Sequence, residues 1–148
     1  MKRLFVATLV ALVGLSLWPL ASAAQSIVGP AVAKNRGGAV TVEAKYLGTA
    51  TVGAVEAIRF EIKLDTHSVN LDQLDLKQLA TLRNDRGVAV KPLSFEKTGS
   101  GHHIQNVLAF PSKDDGGKLV AGDGAKGIEL VLFDVAEVPQ RVLRWELK

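Results

Sequence analysis

From Val40 onward, apolar and polar positions alternate in short runs separated by turn residues, the period-two signature of half-buried strands. Val40, Val42, Ala44 and Tyr46 alternate with Thr41, Glu43 and Lys45, and Gly48 to Gly53 reads as a turn. Ile58, Phe60, Ile62 and Leu64 alternate with Arg59, Glu61, Lys63 and Asp65, the cleanest strand in the chain. Residues 66–73 are polar and loop-like. Between Leu74 and Arg83 the phase slips, because Leu79 and Leu82 do not follow Leu74 and Leu76. A bulged strand accounts for the slip. A helical turn near 71–76 is the alternative, since Asn70-Leu71-Asp72-Gln73 has the form of a capping box.

Asn84-Asp85-Arg86-Gly87 predicts a tight turn. Val88, Val90, Leu93 and Phe95 form the next strand, and Pro92 within it cannot donate to a ladder, which places it at an edge. Lys97 to Gly101 turns again, and Ile104, Leu108 and Phe110 mark a further strand. Pro111 to Gly127, rich in Gly, Asp and Lys, is the longest connection. Ile128 to Phe133 is almost continuously apolar, as in a central strand, and Asp134 to Gln140 turns. Leu143, Trp145 and Leu147 alternate with Arg144, Glu146 and Lys148, with Trp145 as the large core residue. About seven strands and little helix predict an all-β fold, an antiparallel two-sheet sandwich of immunoglobulin-like kind over residues 39–148.

The first part of the chain reads differently. Lys2 and Arg3 precede a run from Leu4 to Leu20 that is apolar except for Thr8 and Ser16, and Ala21-Ser22-Ala23-Ala24 follows. Basic start, apolar stretch and small-residue exit are the parts of a secretory signal, so residues 1–24 are expected to be removed after Ala23 or Ala24. The rival, a membrane anchor, needs a longer span than these roughly seventeen residues and fits poorly with Pro19. Residues 25–38, punctuated by Gly29-Pro30 and Gly37-Gly38, read as a leader without periodicity. The expected location is therefore periplasmic or secreted, with no membrane span after cleavage.

Composition narrows the chemistry. The 148 residues carry a formal net charge of +3, with 47% hydrophobic and 22% charged positions, which excludes a disordered chain. Two of the 18 basic residues belong to the signal and none of the 15 acids does, so the remainder is nearly neutral. A nucleic-acid partner thereby loses its electrostatic basis. There is no cysteine and the one methionine is Met1. Disulfides, thiolate metal sites, iron–sulfur clusters and cysteine nucleophiles are excluded.

The three histidines are the remaining lead. If each connection reverses the chain, the loops at 65–73, 96–103 and 134–141 share one end of the sandwich, and those at 48–54, 84–87 and 111–127 share the other. His67, His102 and His103 all fall at the first end, with Asp65 and Asp134 among the nearby acids. Imidazole is the commonest transition-metal ligand. With no thiolate available, a site here would hold zinc(II), copper(II) or nickel(II) through nitrogen and oxygen. The candidate ligands are His67, His102, His103, Asp65 and Asp134. Adjacent histidines on a regular strand point to opposite faces, so His102 and His103 share a metal only if Gly99 and Gly101 make that stretch irregular. The plain alternative is a set of ordered loops whose histidines bond the backbone.

Other chemistry is weaker. Ser68 and Ser100 lie near histidines without a Gly-x-Ser-x-Gly turn. Asp134 and Glu137 lack a cleft to act in. Lys113-Asp114-Asp115-Gly116-Gly117 lacks the alternating acids of a calcium loop. No enzyme is expected.

The segments Leu64-Asp65-Thr66-His67-Ser68-Val69-Asn70-Leu71, Gly101-His102-His103, and Asp134-Val135 through Pro139 to Arg144-Trp145-Glu146-Leu147 together resemble a group of small exported bacterial single-domain proteins of unknown function. The likeness covers residues 39–148. It implies one exported domain in which both histidine segments belong to a recurring design, and it implies no reaction. The expected role is non-enzymatic binding of a divalent metal ion. The alternative is a structural or interaction module of the cell envelope that offers a protein partner an edge strand, such as the one at Pro92, or the loop end.

Overall fold

The alternation around Phe60 produces a long strand, Val55–Thr66, with Phe60, Ile62 and Leu64 fully buried and Lys63 and Asp65 in water. This strand anchors one of two sheets in a computed structural model that describes residues 23–148. The signal reading falls almost wholly on residues 1–22 and lies outside the described residues. In chain order the elements are β1 (Ile27–Val28), β2 (Ala33–Gly37), β3 (Val40–Val52), β4 (Val55–Thr66), α1 (Leu76–Leu79), β5 (Ala80–Asn84), β6 (Ala89–Val90), β7 (Ser94–Ser100), β8 (His103–Pro111), β9 (Gly127–Val135) and β10 (Val138–Leu147).

The strands form two antiparallel five-stranded sheets, ordered β1-β10-β9-β5-β6 and β2-β3-β4-β8-β7, the expected all-β two-sheet architecture. Inward residues of both sheets share one core. Phe60 is at its centre, with ring centroids 4.8 Å from Trp145 across the sheets, 6.2 Å from Phe110 and 5.7 Å from Tyr46. Full burial of a side chain such as Phe60 or Phe110 contributes about 1.5–3 kcal/mol. Among the described residues, no helix is long and apolar enough to cross a membrane.

Among the described residues, ten strands stand where about seven are expected from local alternation. Two of the additional strands come from residues 25–38. Ile27 pairs with Leu147 of β10, and Ala33 pairs with Ala44 of β3, so this segment joins both sheets. The third arises because the expected strand over 88–95 is split. β6 closes one sheet and β7 edges the other, and Lys91-Pro92-Leu93 carries the chain between them. Proline suits this crossing, because no ladder bond is asked of it.

The stretch 74–83 is a helical turn followed by a strand. Asn70 Oδ1 accepts from the Asp72 N–H at 2.8 Å, an Asx turn that starts no helix. Asp75 is the actual cap: its carboxylate accepts from the Lys77 N–H at 3.0 Å. The helical turn therefore lies at Leu76–Leu79, later than 71–76, and the strand begins at Ala80.

On the outer face of the first sheet the register sets Arg83, Glu129 and Arg144 in one row. Glu129 Oε2 accepts from Arg83 Nε at 2.9 Å and Oε1 from Arg144 Nε at 2.6 Å. Desolvation pushes the Glu129 carboxyl up, but the hydrogen bonds and charges of the two arginines outweigh it and hold the pKa below the usual glutamate value.

Candidate functional site

The pairings Val40↔Thr66 and Asp65↔His103 put the β2–β3 turn, the exit of β4 and the β7–β8 turn at one end of the sandwich. All three histidines stand there, as chain reversal predicts. Ser100 pairs with His103, leaving Gly101 and His102 as a two-residue turn. Gly101 has φ 69°, the sign a type II′ hairpin turn requires at that position. At Gly99, with φ 81°, any Cβ would collide with the His103 carbonyl oxygen.

The loop after β4 is sewn onto this turn. The Thr66 N–H donates to His102 O at 3.1 Å and the Leu71 N–H to Gly101 O at 2.9 Å. In return the Gly101 N–H donates to Asp72 Oδ1 at 2.7 Å. Lys97 Nζ donates to Asp72 O at 2.8 Å.

His103 opens β8 on the outer face, opposite Asp65, and its Nδ1 lies 2.7 Å from Asp65 Oδ1. A carboxylate can only accept, so Nδ1 carries the proton and the neutral ring keeps its lone pair on Nε2. The His67 ring stands with its centroid 6.4 Å from that of His103, at 80° to it. A hollow of about 310 Å³ beside His103 is lined also by Lys63, Asp65, Thr98, Gly99, Ile104 and Gln105.

His102 does not join this pair. Its Nδ1 donates to Val69 O at 2.9 Å, which fixes its ring to the loop. Asp134 lies in the β9–β10 hairpin. Among the described residues no hydrogen bond, ion pair or ring contact links it to a histidine. Of the five candidate ligands the fold thus brings together Asp65, His67 and His103. Among the described residues, no group of three or more His, Cys, Asp or Glu is arranged to hold a metal ion.

The same end holds a residue that reading by local composition passed over. Arg141 of β10 is fully buried. Nη1 donates to Val40 O at 3.0 Å and to Asn35 Oδ1 at 3.2 Å, and Nη2 to Gly37 O at 2.8 Å. Nε and Nη2 both donate to Val135 O at 3.3 Å. Burial lowers its pKa from the ordinary arginine value. Arg141 belongs to the period-two set Arg141, Leu143, Trp145, Leu147 that faces inward, and that phase was the signal available. It locks the β2–β3 turn against the β9–β10 turn, where Asp134, Ala136 and Glu137 have φ 52°, 51° and 62°.

No protein-family model, curated protein or solved structure matches the chain.

Proposed function

We propose that the chain is an exported, non-enzymatic binding domain, periplasmic or secreted, and that its ligand is a divalent transition-metal ion held by His67 and His103. The observation that carries this reading is the Asp65–His103–His67 arrangement. A carboxylate bonded to one imidazole nitrogen fixes the tautomer and the orientation of the ring, the usual support of a metal-binding histidine. With metal–nitrogen bonds of about 2.0–2.1 Å, two imidazoles on one tetrahedral centre have centroids roughly 5 Å apart. The observed 6.4 Å needs a shift of roughly 1 Å, within reach of an exposed His67 side chain. Two protein nitrogens leave the remaining positions to water or to a partner's donor. Such a site favours copper(II) over zinc(II).

Calorimetric titration with copper(II) and zinc(II) tests this. Micromolar binding is expected, lost in His67→Ala and in His103→Ala, kept in His102→Ala, and weakened about 10–100-fold in Asp65→Asn. Binding no tighter than that of an unstructured histidine peptide overturns it. The second reading, a structural or interaction module without metal, is favoured by one observation: His102 and Asp72 spend their polar atoms closing the loop on the β7–β8 turn. Export is supported by the pattern of residues 1–24. Cleavage after Ala23 or Ala24 would leave intact the bond from the Gln25 N–H to Ala121 O. The mass of the mature amino terminus tests it.

A further inference from the structure

On one side of the sandwich the two sheets are joined by a short strap. β1 ends at Val28 on β10 and β2 begins at Ala33 on β3, so residues 29–32 cross from one sheet to the other. Among the described residues no strand pairs with β3 on that side beyond Ala44, and Tyr46, which packs on the core, is only half-buried there. The strap lies against the indole of Trp145. Gly29 has φ 150°, and a Cβ there would stand 3.1 Å from Trp145 Cδ1. A hollow of about 310 Å³ at this place is lined by Gly29 and its neighbours Ile27, Val28, Pro30 and Ala31, with Tyr46 and Trp145. No charged side chain lines it. Trp145 is 3% exposed, its ring centroid is 4.8 Å from that of Phe60, and its Nε1–H has no acceptor among the described residues. Nε1 is bonded to Cδ1, the ring atom nearest the strap, so the N–H stands on the side of the hollow. A buried indole N–H ordinarily finds a partner, and leaving one orphaned is costly.

We propose that this hollow binds a small neutral molecule, one that lays a ring-sized apolar body against Tyr46 and the strap and presents a carbonyl-type oxygen to Trp145 Nε1. The lining selects that chemistry. Sites for small organic ligands are concave and mostly apolar, hold about 300–1,000 Å³, and carry a few placed polar groups. This one stands at the lower limit, which suits a single ring. An indole N–H donates and cannot accept, so the ligand must bring the acceptor. With no charged group in the lining, an ionised ligand would give up its hydration without return. Burial pushes the Tyr46 phenol above its ordinary value, so it too stays protonated and neutral. Gly29, Pro30 and Trp145 also border a larger hollow of about 510 Å³. That one opens on the outer face among Asp85, Lys126, Glu129, Arg144 and Glu146, whereas the Trp145 ring faces inward with Leu143 and Leu147. Tyr46 pairs with Phe60, and the histidine rim begins at Thr66, roughly 20 Å further along β4. The site is therefore separate from the rim and independent of any metal there.

Trp18→Phe leaves Trp145 as the only tryptophan of the full chain, so a single indole N–H signal reports on the hollow by NMR. With chelator present, acetophenone, ethylbenzene and benzoate are compared: three probes of similar size, a ring with an acceptor, a ring without one and a ring with a charge. Acetophenone is expected to shift the indole proton saturably and to bind about 5-fold more tightly than ethylbenzene, the factor one neutral hydrogen bond supplies. Benzoate is expected to bind at least about 10-fold more weakly than acetophenone. Ala31→Phe adds a ring to the lining from the strap. It is expected to abolish the acetophenone shift and leave the other amide signals in place. The proposal is overturned if no probe gives a saturable shift, if ethylbenzene or benzoate binds as tightly as acetophenone, or if the shift persists unchanged in folded Ala31→Phe. An indole proton in contact with a bound water and indifferent to acetophenone overturns it as well, since a water alone then completes the donor. The three probes decide the matter on the Trp18→Phe chain even where Ala31→Phe does not fold.

Discussion

The two ends of the sandwich spend their polar groups differently. At the end away from the histidines, Asn84 is buried and uses both ends of its amide on backbone. Nδ2 donates to Val120 O at 3.0 Å and to Leu119 O at 3.4 Å. Oδ1 accepts from the Arg86 N–H at 2.9 Å and the Val88 N–H at 3.0 Å. One side chain thereby holds the 84–88 turn and the long 111–127 connection together. The histidine end also has its buried organiser, Arg141, but above it the rim is left open: the Nε2 atoms of His67 and His103 take no hydrogen bond among the described residues. At that end Asn84 is fully satisfied, although Gln25 Oε1 beside the same connection is buried without a partner among the described residues. An end built on a rigid base with unspent ring nitrogens in water is where binding is expected.

The largest break in this comparison is at Arg141. Arg141→Met keeps much of the volume but strands the acceptors Val135 O, Gly37 O, Val40 O and Asn35 Oδ1. Replacing a buried ion by an apolar group can be neutral when its partners go too. Here they stay, and the expected loss is about 3–4 kcal/mol. Thermal or denaturant unfolding reads it, as a fall in midpoint of roughly 10 °C or more. A fall of a few degrees would mean that water replaces the guanidinium and that the end is not locked by it.

Asn84→Ala comes next, at about 2–3 kcal/mol, because two backbone donors and two carbonyls lose their partner at a site that is 6% exposed. The same unfolding measurement checks it. Amide exchange should also rise in the 111–127 connection while the rim residues stay as protected as before. If exchange rises equally at both ends, the ends are not separate units and the contrast fails.

How much of this was legible in the sequence follows the range of each interaction. The β4 alternation, the gathering of the imidazoles at one end and the burial of Trp145 rest on local period and chain reversal, and these were read directly. β2 has the sequence AKNRG, with no apolar alternation, and is a strand because Val40 to Ala44 offers it a ladder. No local pattern carries that. Asp134 shares the right end of the fold with the histidines but sits in a hairpin of the other sheet, and chain reversal alone cannot set lateral distance. His102 was readable as a turn residue from Gly101, but its bond to Val69 O depends on how the loop after β4 folds back.

The smallest prediction concerns the β9–β10 turn. Val135 pairs with Val138, so Ala136 and Glu137 are the two central residues, both with positive φ. This is the type I′ arrangement that Asn-Gly normally fills. An L-residue in this conformation costs about 1–2 kcal/mol, and glycine gives back about 0.5–1 kcal/mol through the greater freedom of its unfolded chain. Glu137→Gly should therefore stabilise the protein by up to about 1 kcal/mol. The two bonds from Arg141 to Val135 O hold the turn in place, so the gain should change when Arg141→Met is already present, and a double-mutant cycle on the unfolding free energy measures that coupling. A Glu137→Gly protein no more stable than its parent would show that the glutamate side chain offsets its own backbone strain. An additive cycle would show that Arg141 steadies the β2–β3 turn alone and leaves the strained hairpin to the ladder between β9 and β10.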